Sequence, residues 1–204
     1  MRNFTNLQYS VLIGLLLSDG TLVKRNPGLK AGASFGLTQT SDKCAKYVEA
    51  HVELLIYVFE LFKEFCNYTE PKIGYAKSKT SAKTYQYMYF ATAINSLFTE
   101  LYHIWYIAGI KTVPANIASL LDPVALAFWA MGDGGKCGKG FHLNTVAFSP
   151  SCTKLLVDAL KSNFDLNCTI HSRNRIYISS KEFKKFKQIV APHFLNKFNY
   201  KLEV

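Results

Sequence analysis

The 204-residue sequence lacks the features that would place it in several functional classes. Its five cysteines, Cys44, Cys66, Cys137, Cys152 and Cys168, are odd in number and never stand in a Cys-x-x-Cys spacing, which argues against a zinc ribbon and against a disulfide framework. The five histidines, His51, His103, His142, His171 and His193, show no metal-ligand spacing, so a zinc or His-based nuclease is disfavoured. His51 and His103 fall in helical stretches and read as partly buried packing residues. The apolar segment near the start, Val11 to Leu17, is seven residues long, too short to cross a bilayer, and no small-residue cleavage pattern follows it. An intracellular, reducing compartment is expected. Acidic residues are scarce: 14 against 24 basic ones, a formal charge of +10.

That excess is shared. Residues 1–121 carry 12 basic and 8 acidic side chains, and residues 122–204 carry 12 and 6. Both parts suit a chain lying along a polyanion, although charge alone is also compatible with a solvated basic surface. With 49% apolar residues the chain can fill a sizeable core, which argues against disorder.

Two stretches organise the sequence: Leu12-Ile13-Gly14-Leu15-Leu16-Leu17-Ser18-Asp19-Gly20 and Leu126-Ala127-Phe128-Trp129-Ala130-Met131-Gly132-Asp133-Gly134. Each is an apolar helical run that ends on aspartate and glycine, the composition of a helix C-terminus. A carboxylate beside such a terminus meets like partial charge, and two packed side by side meet more of it. A hard divalent cation bound by Asp19 and Asp133 would remove the difficulty.

Around these stretches the chain repeats. Thr5 and Gln8 form a capping box for a helix running to Asp19; short strands follow at 21–23 and 33–39, then a helix over 41–66 whose stripe includes Tyr47, Val48, Val52, Leu55, Ile56, Phe59, Phe62 and Phe65. A hairpin spans 72–90 and a third helix about 93–105. Asp122-Pro123 opens the second buried helix, followed by a Gly/Lys-rich turn over 134–140, a strand over 141–148, a helix opened by Ser149-Pro150, strands near 168–171 and 175–178, and a last helix. The expected fold is α+β: two αββαββα units, 1–121 and 122–204, related by a pseudo-two-fold axis that suits duplex DNA.

The paired motifs resemble the signature of the LAGLIDADG homing endonucleases, of the single-chain kind with two motifs. The likeness extends to Lys111-Thr112-Val113-Pro114, Asp133-Gly134-Gly135-Lys136, Leu143-Asn144-Thr145, Asn163-Phe164-Asp165-Leu166-Asn167-Cys168 and Tyr200-Lys201-Leu202. It implies two antiparallel sheets forming a DNA-binding saddle, with the two motif helices packed at its centre. By the same resemblance Asp19 and Asp133 are metal ligands aided by the carbonyls of Ser18 and Gly132. Lys111 and Lys201 match active-site lysines, and Gln39 matches a solvent-orienting position. The metal would be Mg2+, with Mn2+ or Ca2+ able to occupy the same sites. Lys43 is a candidate basic neighbour. In the second half Val146 and Pro150 stand at the places of Gln39 and Lys43, and Phe128 replaces the small Gly14.

DNA contacts are expected from the wet sheet faces and strand turns. In the first unit these are Lys24, Arg25, Asn26, Lys30, Ser34, Thr38, Lys77, Lys79, Lys83 and Tyr85. In the second they are Lys136, Lys139, His142, Asn144, Arg173, Arg175 and Tyr177. Arg and Asn on strands suit base edges, whereas loop lysines suit phosphates. The expected activity is a site-specific double-strand cut by a monomer in a long pseudo-symmetric DNA target, in an organelle that encodes the protein. Intron RNA, bound as a maturase would bind it, is the alternative partner, and a non-catalytic DNA-binding regulator is a third reading.

Overall fold

The computed structural model describes residues 3–24, 31–43, 45–77 and 83–203. Helix α1 (Asn6–Leu16) opens with the expected box: Thr5 Oγ1 accepts from Gln8 N at 3.1 Å while Gln8 Oε1 accepts from Thr5 N at 2.9 Å. Strands β1 (Thr21–Lys24) and β2 (Ala33–Thr40) follow, then α2 (Val48–Phe62), β3 (Lys72–Lys77), β4 (Thr84–Ala91) and α3 (Ser96–Trp105). A small hairpin, β5 (Tyr106–Ile107) and β6 (Ile110–Lys111), and the short α4 (Ile117–Leu120) lead to α5 (Pro123–Asp133). The second set is β7 (Gly134–Cys137), β8 (Gly140–Leu143), α6 (Pro150–Phe164), β9 (Cys168–His171), β10 (Arg175–Ile178) and α7 (Ser180–Val190), with a closing 3-10 segment, Asn196–Lys201.

The two large sheets are antiparallel with the same topology, β1-β2-β4-β3 and β7-β8-β10-β9. One apolar core joins them through α1 and α5, which are buried almost all round because neither has a polar face. The helices run parallel. At their N-terminal ends Asp122, the cap of α5, accepts from Ala125 N at 2.8 Å and from the Ser10 hydroxyl of α1. Along the crossing, a Cβ on Gly14 would collide with the Ala125 carbonyl and lie 2.8 Å from Phe128 Cβ. The small residue in one motif thus admits the large one in the other, and Phe128 also meets Tyr57 of α2, ring centroids 5.7 Å apart.

Several boundaries differ from the sequence reading. Helix α1 stops at Leu16, and Ser18 N and Gly20 N close the turn on Leu15 O at 3.0 and 2.8 Å, so Asp19 stands beyond the helix. Helix α2 starts at Val48 instead of residue 41, because Ser41 N continues the ladder to Gln86 O and Tyr47 turns the chain with φ 61°. Its inner stripe is Ala50, Leu54, Leu55, Val58, Phe59 and Phe62; Tyr47 and Ile56 face solvent. Helix α3 begins after Asn95, whose side chain caps Leu97 N at 2.9 Å. The stretch 134–140 is not a turn throughout. It forms β7 and reverses at Gly138, φ 57°, while β8 ends at Leu143 instead of 148.

Candidate active site

The C-termini of α1 and α5 converge, each carrying about half a negative charge. A Cβ on Gly132 would strike the Ser18 hydroxyl and lie 3.5 Å from Asp19 Oδ2, so the Asp19 carboxylate rests against the residue preceding Asp133. Burial and the charge of Asp19 push the Asp133 carboxyl up to about 6, against smaller opposing effects of Lys111 and Lys201.

Two lysines offset this concentration of negative charge. Lys111, on β6, donates to Gly20 O at 2.7 Å and Ser18 O at 3.3 Å, beyond the end of α1. Lys201, buried in the closing segment, donates to Met131 O at 2.6 Å and reaches Ala130 O and Gly132 O at 3.4 and 3.5 Å, at the end of α5. A cation at a helix C-terminus is stabilising by about 0.3–2 kcal/mol, more when partly buried. Burial nevertheless lowers both ammonium groups to about 8, opposed by the attraction of Asp133 and Asp19. For Lys111 the stronger attraction comes from Asp133 and for Lys201 from Asp19, while the hydrogen bonds of each lysine go to its own unit's helix end.

Gln39, 6% exposed on β2, donates from Nε2 to Asp19 Oδ2 at 2.7 Å. Its Oε1 lies 2.9 Å from His51 Nδ1, on α2. His51 is therefore more than the packing residue read from its helix. The second half has a different arrangement. Thr21 pairs with Gly36 and Gly135 with His142, so equal steps along the strands make Thr145, not Val146, the counterpart of Gln39. Thr145 is buried and its hydroxyl donates to Asn174 O, while Val146 is 55% exposed. Among the described residues no side chain donates a hydrogen bond to the Asp133 carboxylate. Lys43 is an exposed turn residue and Pro150 is the first residue of α6.

The basic residues gather unevenly. In the second half an open cleft of about 400 Å3 brings Asp133 together with Lys136, His142, Asn144, Arg173 and Arg175. Tyr177 lies beside it, 5.1 Å from the His142 ring, and Lys139 is exposed at the β7–β8 turn. His171, which its sequence context does not single out, joins this face through alternation along β9, 4.3 Å from Tyr177. On the first sheet Thr38 and Tyr85 lie on the face opposite Leu37 and Phe90 and are exposed, joined by Tyr87 and Tyr89. Ser34 has the same parity but is buried. Lys24 turns to the helix side with Leu22, its ammonium 5.9 Å from the Tyr102 ring centroid. Lys77, at the end of β3, and Lys83, just before β4, are both exposed. Arg25, Asn26, Lys30 and Lys79 lie outside the described residues.

The chain is similar to several known proteins. The cytochrome b mRNA maturase bI2 of Debaryomyces hansenii is 29% identical over 200 residues, spanning 94% of this chain and 72% of that protein. The protein of the same name from Saccharomyces cerevisiae is 29% identical over 207 residues, but the chain spans only 46% of its length. The intron-encoded endonuclease ai4 of Dictyostelium discoideum is 28% identical over 157 residues, 72% of this chain and 99% of that one. Among solved structures, the homing endonuclease I-WcaI bound to its DNA recognition sequence superposes with a TM-score of 0.85 at 21% identity, covering all of this chain and 88% of that chain. The profile of the LAGLIDADG DNA endonuclease family matches residues 9–186, a span that holds most of α1, all of α5, Asp19, Asp133 and both large sheets, and the chain belongs to that family.

Proposed function

We propose that this chain cuts both strands of a long, pseudo-symmetric DNA duplex as a monomer, its units 1–121 and 122–204 each following one half of the target. The observation that carries this reading is the convergence of Asp19 and Asp133 at two parallel helix ends, with one lysine from each unit beside them, Lys201 buried and Lys111 partly buried. The donors are hard oxygens: two carboxylates and the neighbouring carbonyls of Ser18 and Gly132, each carbonyl shared with a lysine through a long hydrogen bond. Such a set fits Mg2+, or Mn2+ and Ca2+, and not a thiolate- or imidazole-preferring metal. A divalent cation there supplies Lewis-acid charge to the phosphate oxygens and acidifies water.

The side chains do the rest. Asp19 and Asp133 each face one scissile phosphate. Gln39 orients solvent beside Asp19, and Lys111 and Lys201 place positive charge where negative charge develops on the phosphate oxygens. The cleft around His142, Asn144, Arg173 and Arg175 and the tyrosine-bearing face of the first sheet read the two half-sites in the major groove, about two helical turns in all. The name of the Dictyostelium relative, an intron-encoded endonuclease, supports an intron as the source of the chain, and we place that intron in an organelle.

Selection of cleaved duplexes from a random library in Mg2+ tests this reading. A recovered site of two unlike halves supports it. Failure to cut any duplex, together with tight intron-RNA binding, supports the maturase reading, which the two maturase relatives favour. For DNA the affinity should fall steeply with salt, with a log–log slope of about −5 or steeper if six or more phosphates are neutralised.

A further inference from the structure

We infer that His51 is a positioning residue that clamps the Gln39 amide so that its nitrogen faces Asp19, and that among the described residues the Asp133 half-site has no such clamp. The inference rests on the endonuclease reading for its consequence, but the clamp itself stands on geometry. Gln39 Nε2 is 2.7 Å from Asp19 Oδ2, and Gln39 Oε1 is 2.9 Å from His51 Nδ1. An amide oxygen can only accept, so Nδ1 must carry the hydrogen. A Gln side chain could otherwise flip about its terminal bond, which would set Oε1 against a carboxylate oxygen. With His51 in place a flip loses both hydrogen bonds, and at 6% exposure Gln39 finds little water to replace them.

The imidazole is itself fixed. It projects from α2, and its ring meets the edge of Phe198 at 6.1 Å and 84°. Phe198 belongs to the segment that carries Lys201, whose ammonium lies 5.2 Å from that ring. Burial and the nearby Lys201 charge lower the His51 pKa, with Asp19 opposing, which favours the neutral ring. The chain of contacts Asp19–Gln39–His51–Phe198–Lys201 therefore crosses from one unit to the other. In the second unit Thr145 spends its hydroxyl on Asn174 O and offers nothing equivalent to Asp133.

Two variants and two readouts test the clamp. His51→Asn keeps a nitrogen donor near the place of Nδ1, whereas His51→Leu removes it. In long-range 1H–15N spectra of the wild-type protein without DNA, His51 should appear as the neutral Nδ1–H tautomer; the Nε2–H tautomer would overturn the inference. On a selected duplex with each strand labelled, His51→Leu should slow the strand whose cut Asp19→Asn removes by about 10- to 100-fold, the usual effect of losing a group that orients a ligating side chain. The other strand should keep its rate, and His51→Asn should restore most of the lost rate. Equal slowing of both strands, or no difference between the two variants, would reduce His51 to a structural role. If wild-type protein cuts no duplex, the endonuclease reading fails, and the tautomer still decides whether the clamp exists.

Discussion

Asp19 and Asp133 stand at equivalent ends of equivalent helices, yet one is braced by a hydrogen-bonded Gln39–His51 pair and the other has no side-chain donor among the described residues. The charges are duplicated; the polar support is not. Each half supplies one carboxylate and one lysine donating to helix-end carbonyls, because parallel helix dipoles demand cations at that end whatever the ligand. Gln39 has no such structural necessity, and its counterpart Thr145 has turned to fasten the β10 turn instead. The difference separates what the fold needs from what the proposed chemistry needs at each strand.

The largest expected effect tests whether the two carboxylates are equal in necessity. Asp19→Asn and Asp133→Asn should each abolish double-strand cleavage while changing DNA affinity by less than about tenfold, since the carboxylates serve the cation more than docking. A plasmid assay with a parallel binding titration checks this. Linearisation at a normal rate by either variant would contradict the site assignment.

The next effect separates the halves. Gln39→Ala should slow the Asp19 strand by about 10- to 100-fold and leave the Asp133 strand nearly unchanged, as read in single-turnover cleavage of a strand-labelled duplex. A smaller effect concerns stability without metal. The Asp133 pKa is raised to about 6, so its ionised form opposes folding above that pH, and the penalty disappears as pH falls from about 6 toward the unfolded value of 3.8. Asp133→Asn should therefore stabilise the metal-free protein at pH 7 by about 1–2 kcal/mol, after allowance for solvent screening of a partly exposed group. The gain should vanish near pH 4. Thermal melts with chelator at the two pH values measure it.

Much of the frame was legible because it follows from local chemistry. The Thr5–Gln8 box, the Asp122-Pro123 start of α5 and the two apolar runs ending in aspartate each announce themselves within a few residues. The Gly14–Phe128 complementarity was visible as a difference between the motifs, and the structure supplies its meaning. What could not be read were contacts set by strand register and helix rotation. The resemblance puts Val146 at the place of Gln39, whereas the β1–β2 and β7–β8 registers select Thr145. In sequence His51 reads as a packing residue because nothing near it announces Gln39 on another element; its place three residues before the core position Leu54 and one helical turn before Leu55 is the available signal. Lys24 reads as a loop residue after a strand at 21–23, whereas β1 extends to it and alternation from Leu22 directs it to the helices.

The order in which the two strands are cut tests the inequality of the half-sites most directly. In a supercoiled-plasmid time course with both strands labelled, and with each nick assigned by the cut that Asp19→Asn removes, the wild-type protein should accumulate nicked circles before linear product. The first nick should belong to the Asp19 strand, where Gln39 and His51 are in place. Simultaneous cutting, or a first nick on the Asp133 strand, would contradict the account.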